Sequence, residues 1–152
     1  MKRKRIRLDV AQYRTPGTVW HITLCTHSRR PVFADPVFAE LLSITALERA
    51  RMMSIRLLAY CVMPDHAHFI VAVDSGDVSR FVGAVKSIVA VNYLKAGNAE
   101  RLWQRSFHDN GVRKTEKIDE LVGYVLNDPV RAGLADDWSE YPWVGGELVD
   151  GA

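Results

Sequence analysis

Two hydrophobic patterns alternate along the chain, and their order predicts its fold. Thr18–Thr26, Ile55–Met63 and His66–Val73 are short apolar runs bounded by turn signals, and they read as strands. Pro16-Gly17 is the turn before the first, and Pro64-Asp65 joins the second and third into a hairpin. Asp35-Pro36 opens a helix, with Asp as N-cap and Pro at the first helical position. Val37, Leu41, Ile44 and Leu47 recur at helical spacing and carry that helix to about Met52. Asp74-Ser75-Gly76-Asp77 breaks the pattern before a second helix with the stripe Phe81, Val82, Val85, Ile88 and Val89, ended by Ala96-Gly97-Asn98. Trp103 to Arg113 predicts a fourth strand or extended segment. Thr115 then caps a last helix through Ile118, Leu121, Val122 and Val125, stopped near Asn127-Asp128-Pro129.

The order β-α-β-β-α-β-α is that of an α+β, ferredoxin-like split βαβ fold: a mostly antiparallel sheet with helices on one face. No repeat, low-complexity tract or linker divides the sequence, so residues 1–152 are expected to form a single domain. It would carry a basic N-terminal arm at 1–12 and a C-terminal tail at 136–152, whose Trp- and Gly-containing sequence predicts no element.

Composition narrows the class. A chain of 152 residues, 48% apolar and 25% charged, can bury a core of its own and matches ordinary globular proteins. Its apolar runs are too short to span a bilayer, and no apolar signal segment follows the basic start, so a cytoplasmic location without membrane association is expected. Cys25 and Cys61 match no disulfide or zinc spacing. The net charge of +2 hides an asymmetry: residues 1–7 carry five positive charges and no negative one, while residues 116–152 carry two basic and nine acidic side chains. A basic arm suits a polyanion, and the acidic end faces elsewhere.

Candidate chemistry begins at His66-Ala67-His68. Alternate residues of a strand share a face, so two imidazoles about 7 Å apart can converge on one metal ion. On the last helix, Tyr124 lies roughly 110° from the centre of the apolar stripe and flanks the core. Asp128, four residues on, is about 40° from Tyr124 around the same helix and shares its face if the helix continues past Asn127. A divalent ion would assist attack on a phosphodiester by a phenol, a poor nucleophile at its usual pKa of about 10. Attack by tyrosine also conserves bond energy in a phosphotyrosine, which strand joining requires.

Several stretches in order carry a family resemblance. Pro64-Asp65-His66-Ala67-His68-Phe69 resembles the His-hydrophobic-His motif of the HUH single-strand endonucleases. Trp103-Gln104-Arg105-Ser106-Phe107, the run from Gly123-Tyr124 through Asp128-Pro129-Val130-Arg131 to Leu134, and Tyr141-Pro142-Trp143 resemble the REP-associated branch of the IS200-like Y1 transposases. The resemblance covers about residues 13–145.

It implies a ferredoxin-like HUH domain in which His66 and His68 hold Mg²⁺ or Mn²⁺. Tyr124 would attack single-stranded DNA to leave a 5′-phosphotyrosine and a free 3′-OH. The third ligand maps onto Asp128, with Asn127 in reserve; Asn is more usual at this place, and a carboxylate suits a hard cation. The implied partner is single-stranded or hairpin-forming, REP-like DNA, held through Lys2, Arg3, Lys4, Arg5, Arg29, Arg30, Lys86, Arg105 and Arg113. His108 beyond Phe107 is expected to be a surface histidine, with base or phosphate contact as the alternative. The implied assembly is a monomer or a homodimer. Two other readings stay open: a hairpin DNA- or RNA-binding module of the same fold that no longer cuts, and a phosphoesterase in which water attacks.

Overall fold

The computed structural model describes residues 18–73, 75–105, 112–115 and 117–150. Its strands are β1 (Thr18–Cys25), β2 (Ile55–Met63), β3 (His66–Val73), β4 (Val112–Thr115) and β5 (Val144–Gly145). Its helices are α1 (Pro36–Met52), α2 (Val78–Lys95), α3 (Ile118–Leu126), and the single turns α4 (Asp128–Arg131) and α5 (Glu147–Asp150). The strands form an antiparallel sheet in the order β4-β1-β3-β2-β5. The first four strands and the helices between them have the split βαβ order that the sequence predicts.

β3 sits at the centre, and its alternation divides the molecule. Ala67, Phe69 and Val71 face α1 and α2 within one core that also takes in Ile22, Leu24, Val62, Phe81 and Val85. Ile70 and Ala72 face the other way, into a second core with Val19, Leu58, Cys61 and the α3 residues Ile118, Val122, Val125 and Leu126. The expectation of helices on one face is therefore corrected: α3 covers the face opposite α1 and α2. β2 and β3 are buried on both faces along almost their whole length, and such strands need cover on both sides. A register shift between Leu57 and Ala59 lets Leu58 and Ala59 both serve the second core.

The first helix has the expected bounds but turns another face inward. Asp35 caps it by accepting from Val37 N–H at 3.0 Å. Val37, Ile44 and Leu47 are exposed, whereas Ala39, Leu42, Ser43, Thr45, Ala46 and Ala50 are buried. Small side chains let α1 lie close to β2 and α2, and close packing outweighs the burial of the larger residues. Of the expected α2 stripe, Phe81, Val82, Val85 and Val89 are buried and Ile88 is half-buried.

Two boundaries near the fourth strand also shift. Among the described residues of the expected Trp103–Arg113 segment, Trp103 forms an isolated bridge with Thr26, and Val112 and Arg113 pair with β1 as part of β4; residues 106–111 lie outside the described residues. Thr115 belongs to β4 opposite Val19 rather than capping α3, whose N-cap position is Lys117. The tail, for which the sequence predicts no element, supplies β5 against β2 and contributes Tyr141, Val144, Leu148 and Val149 to the second core.

Tyr141 joins that tail to the sheet by donating its hydroxyl to Val62 O at 2.7 Å. Tyr141→Phe leaves a buried acceptor short of a partner and should cost about 1–3 kcal/mol in urea unfolding. Burial also pushes the Tyr141 phenol above the ordinary range. Because its folded pKa is raised, the associated stability is intact below the unfolded value of about 10 and falls as pH rises beyond it. Tyr141→Phe should accordingly flatten the loss of stability above about pH 10.

Candidate metal centre and nucleophile

The hairpin turn between β2 and β3 is locked before it presents any chemistry. Pro64 O accepts from Phe33 N–H at 2.9 Å, and Asp65 O accepts from Thr26 N–H at 3.0 Å and from Thr26 Oγ1 at 3.1 Å. Strand pairing then sets His66 beside Cys25 and Met63, and His68 beside Thr23 and Cys61. Both imidazoles lie on the face that α3 covers.

The junction of α3 and α4 brings the third group. Asn127 keeps right-handed helical geometry (φ −87°, ψ 0°), and Pro129 falls in the first turn of α4, where its missing N–H costs nothing. Asp128 Oδ2 is 2.9 Å from His66 Nε2 and 2.9 Å from His68 Nε2. One ligand atom from each of the three residues lies within 4.8 Å of the others. The sequence left Asp128 and Asn127 open. The structure brings Asp128 to the imidazoles, while the Asn127 amide turns back to donate to Gly123 O at 2.8 Å.

The remaining ring nitrogens are held as a metal site would need them. His66 Nδ1 is 2.6 Å from Asp65 Oδ1, and Asp65 Oδ2 accepts from Arg29 Nε at 3.0 Å. His68 Nδ1 is 3.0 Å from His21 Nε2, and Thr23 Oγ1 is 3.4 Å from both nitrogens. With both Nδ1 atoms engaged elsewhere, both Nε2 atoms are directed at Asp128. Two imidazole nitrogens and a carboxylate oxygen, all oriented from outside, form a donor set that can hold a divalent ion.

The electrostatics agree. Burial alone would lower the His66 pKa, but hydrogen bonds to Asp128 and Asp65 outweigh it and raise the value. Hydrogen bonds from His66 and His68 hold the Asp128 carboxyl well below the usual carboxylate range. Burial favours the neutral form of Asp65, yet its bonds to His66 and Arg29 prevail and lower its pKa.

Tyr124 is 58% exposed on α3, so its side chain is accessible to a large substrate. Its ring carries the Arg131 guanidinium, 3.9 Å from the centroid, and Arg131 Nη2 is 3.4 Å from Asp128 Oδ1. The phenol, the guanidinium and the carboxylate thus form one chain leading to the imidazoles.

The basic candidates divide. Arg29 reaches the site's edge, with Nη2 3.5 Å from His66 Nδ1, and it does so from a turn in which Ser28 (φ 57°) and Arg29 (φ 53°) are both left-handed. Such geometry costs non-glycine residues about 1–2 kcal/mol each. Arg30 is instead committed to Glu100, Arg101 O and the Tyr93 hydroxyl. Lys86 donates to Gln104 O at 3.3 Å and, with Arg101, Trp103 and Arg105, lines an open groove of about 330 Å³. Arg113 takes its backbone place in β4 opposite His21, and its side chain lies outside the described residues. Lys2, Arg3, Lys4, Arg5 and His108 also lie outside them.

Sequence reasoning missed Asp65, His21 and Arg131. Arg131 had a readable signal, since positions three and seven after Asp128 and Tyr124 share a helix face. His21 had none, because only strand pairing carries it to His68.

Among the described residues no helix is long and apolar enough to cross a membrane. The family described as "Transposase IS200 like" matches residues 16–128. A REP-associated tyrosine transposase of Escherichia coli (strain K12) is 26% identical over 136 residues, covering 89% of this chain and 80% of that protein. Among solved structures, a REP-associated tyrosine transposase bound to a REP hairpin superposes with a TM-score of 0.70 at 20% identity, over 87% of this chain and 78% of that one. A transposase-like protein of Deinococcus radiodurans superposes with a TM-score of 0.57 at 23% identity, over 74% of this chain and 92% of the other.

Proposed function

The chain belongs to the IS200-like transposase family, and from that premise we propose that it cuts and rejoins single-stranded, hairpin-forming DNA of the REP type through Tyr124. The observation that carries this reading is the meeting of His66, His68 and Asp128, about sixty residues apart in sequence, one arginine away from an exposed tyrosine. The three residues would hold Mg²⁺ or Mn²⁺. When bound, such an ion acts as a Lewis acid on phosphate oxygens and draws off charge in the transition state.

The chain's own groups do the rest. The Tyr124 oxygen forms a bond to phosphorus as the phosphorus–O3′ bond breaks, leaving a 5′-phosphotyrosine and a free 3′-OH. Joining is the reverse, with another 3′-OH attacking the phosphotyrosine. Asp65 and the His21–Thr23 pair keep His66 and His68 oriented with Nε2 inward. Arg29, whose side chain lies against Asp65 and His66 at the edge of the site, would contact phosphate there. Lys86 and Arg105 would hold flanking strand along their groove, together with Arg113 and the basic arm.

The test is incubation with labelled hairpin DNA and Mg²⁺ or Mn²⁺, followed by a denaturing gel. A covalent protein–DNA band that disappears with chelator supports the reading. Cleavage without a band would favour attack by water, and tight binding with neither product would favour a module that no longer cuts.

Asp65 offers a second check. Asp65→Ala frees His66 Nδ1 and should weaken Mn²⁺ binding about 10–100-fold in calorimetry. Equal affinity in the two proteins would mean that Asp65 serves only the turn.

A further inference from the structure

Arg131 touches both the candidate nucleophile and one of the candidate metal ligands. Its guanidinium lies over the Tyr124 ring at 3.9 Å from the centroid, and its Nη2 faces Asp128 Oδ1 at 3.4 Å. Asp128 Oδ2 is already shared by the two imidazoles, so Oδ1 is the oxygen left to receive it. The backbone beneath is set by helical bonds across the α3–α4 junction, Arg131 N–H to Asn127 O at 3.0 Å and Ala132 N–H to Asp128 O at 2.9 Å.

We propose that Arg131 is a positioning residue that holds the Tyr124 ring in one orientation beside Asp128, so that the phenol is presented to the metal site before DNA arrives. The proposal rests on the reading of Tyr124 as the nucleophile. A tyrosine on a helix surface has two common χ1 settings, and at 58% exposure burial does not fix Tyr124 in one of them. A flat cation does choose, because stacking on the ring and pairing with a carboxylate are both directional. The arrangement needs arginine. A lysine ammonium can approach the ring, but it is a single point charge and cannot both stack as a plane and pair through a fork.

The role differs from that of a DNA contact. An arginine that binds phosphate alters affinity and its salt dependence; one that orders the nucleophile alters the rate once DNA is bound. Loss of the preferred ring setting should slow adduct formation about three- to tenfold, the scale of a modest loss of orientation at a reacting group.

The experiment compares wild type, Arg131→Gln and Arg131→Lys in three measurements on the full chain. Single-turnover adduct formation is followed at saturating hairpin DNA. DNA affinity is measured across a salt series. The Tyr124 ring is observed by fluorine NMR of 3-fluorotyrosine protein, with its resonance assigned by Tyr124→Phe. The expected result is a moved Tyr124 resonance and an adduct rate about three- to tenfold lower in Arg131→Gln, with DNA affinity unchanged and Arg131→Lys in between.

An unmoved resonance would overturn the proposal. So would an unchanged rate at saturation with weaker binding and a salt slope smaller by about 1, which would make Arg131 a phosphate contact. A lower melting temperature with an unchanged rate would make it purely structural. Absence of any wild-type adduct would overturn the proposed reaction and, with it, the purpose of the clamp. An adduct formed at the same rate in all three proteins would overturn the clamp alone.

Discussion

Tyr124→Phe should abolish the covalent protein–DNA adduct and reduce strand cleavage by at least about 10³-fold. The substitution removes one oxygen from a ring that is 58% exposed and absent from both cores, so the folded structure has little reason to respond. Stability should stay within about 0.5 kcal/mol, as for other surface changes. The ring itself remains for Arg131 to stack on, and Asp128 keeps both imidazoles, so Mn²⁺ and hairpin DNA should bind within about twofold of wild type. This combination makes the variant informative: chemistry lost, both binding functions kept. Cleavage that persisted at the wild-type rate would assign the attack to water.

The second large effect lies at the proposed metal ligands. Removing one of three donors should weaken Mn²⁺ binding more than the 10–100-fold expected from losing a group that merely orients a donor, hence by more than about 100-fold for His68→Ala or Asp128→Ala. The two substitutions reach that result differently. His68 is buried with its Nδ1 beside His21, so His68→Ala also strips His21 of a neighbour and should cost some stability. Asp128 sits at a helix junction, where Asp128→Ala removes the carboxylate shared by both imidazoles and the partner of Arg131. Asp128→Asn separates charge from coordination. It keeps an oxygen toward the imidazoles and should retain part of the Mn²⁺ affinity, where Asp128→Ala retains little. Isothermal titration with Mn²⁺, followed by the adduct assay at rising metal, measures both. Unchanged affinity in Asp128→Ala would place the third donor elsewhere.

Much of this architecture is legible in the amino-acid sequence, and the legible parts share a cause: they depend on short-range periodicity. Strand alternation puts His66 and His68 on one face whatever the strand pairs with. Most of the α2 and α3 stripes is legible because Phe81, Val82, Val85 and Val89 on one helix and Ile118, Val122 and Val125 on the other recur at helical spacing and are buried, whereas Ile88 and Leu121 are half-buried. The α1 stripe misleads because the helix packs through Ala39, Ala46 and Ala50, and a pattern weighted by large side chains points away from them. The tail is illegible for another reason. A two-residue strand and a one-turn helix have no period to detect, and β5 exists only because β2 offers it an edge.

The site divides along the same line. The sequence by itself determined the split βαβ order, the paired imidazoles and the tyrosine flanking its helix, because each follows from the 2.0- and 3.6-residue repeats of the backbone. Only the tertiary structure decided that Asp128 rather than Asn127 meets the imidazoles, since the choice lies in how the chain turns between α3 and α4. It also decided that α3 covers the face of the sheet bearing His66 and His68 and that His21 stands behind His68. Most of these are contacts between elements far apart in the chain, set by which surfaces had to be buried together, and no local repeat records them.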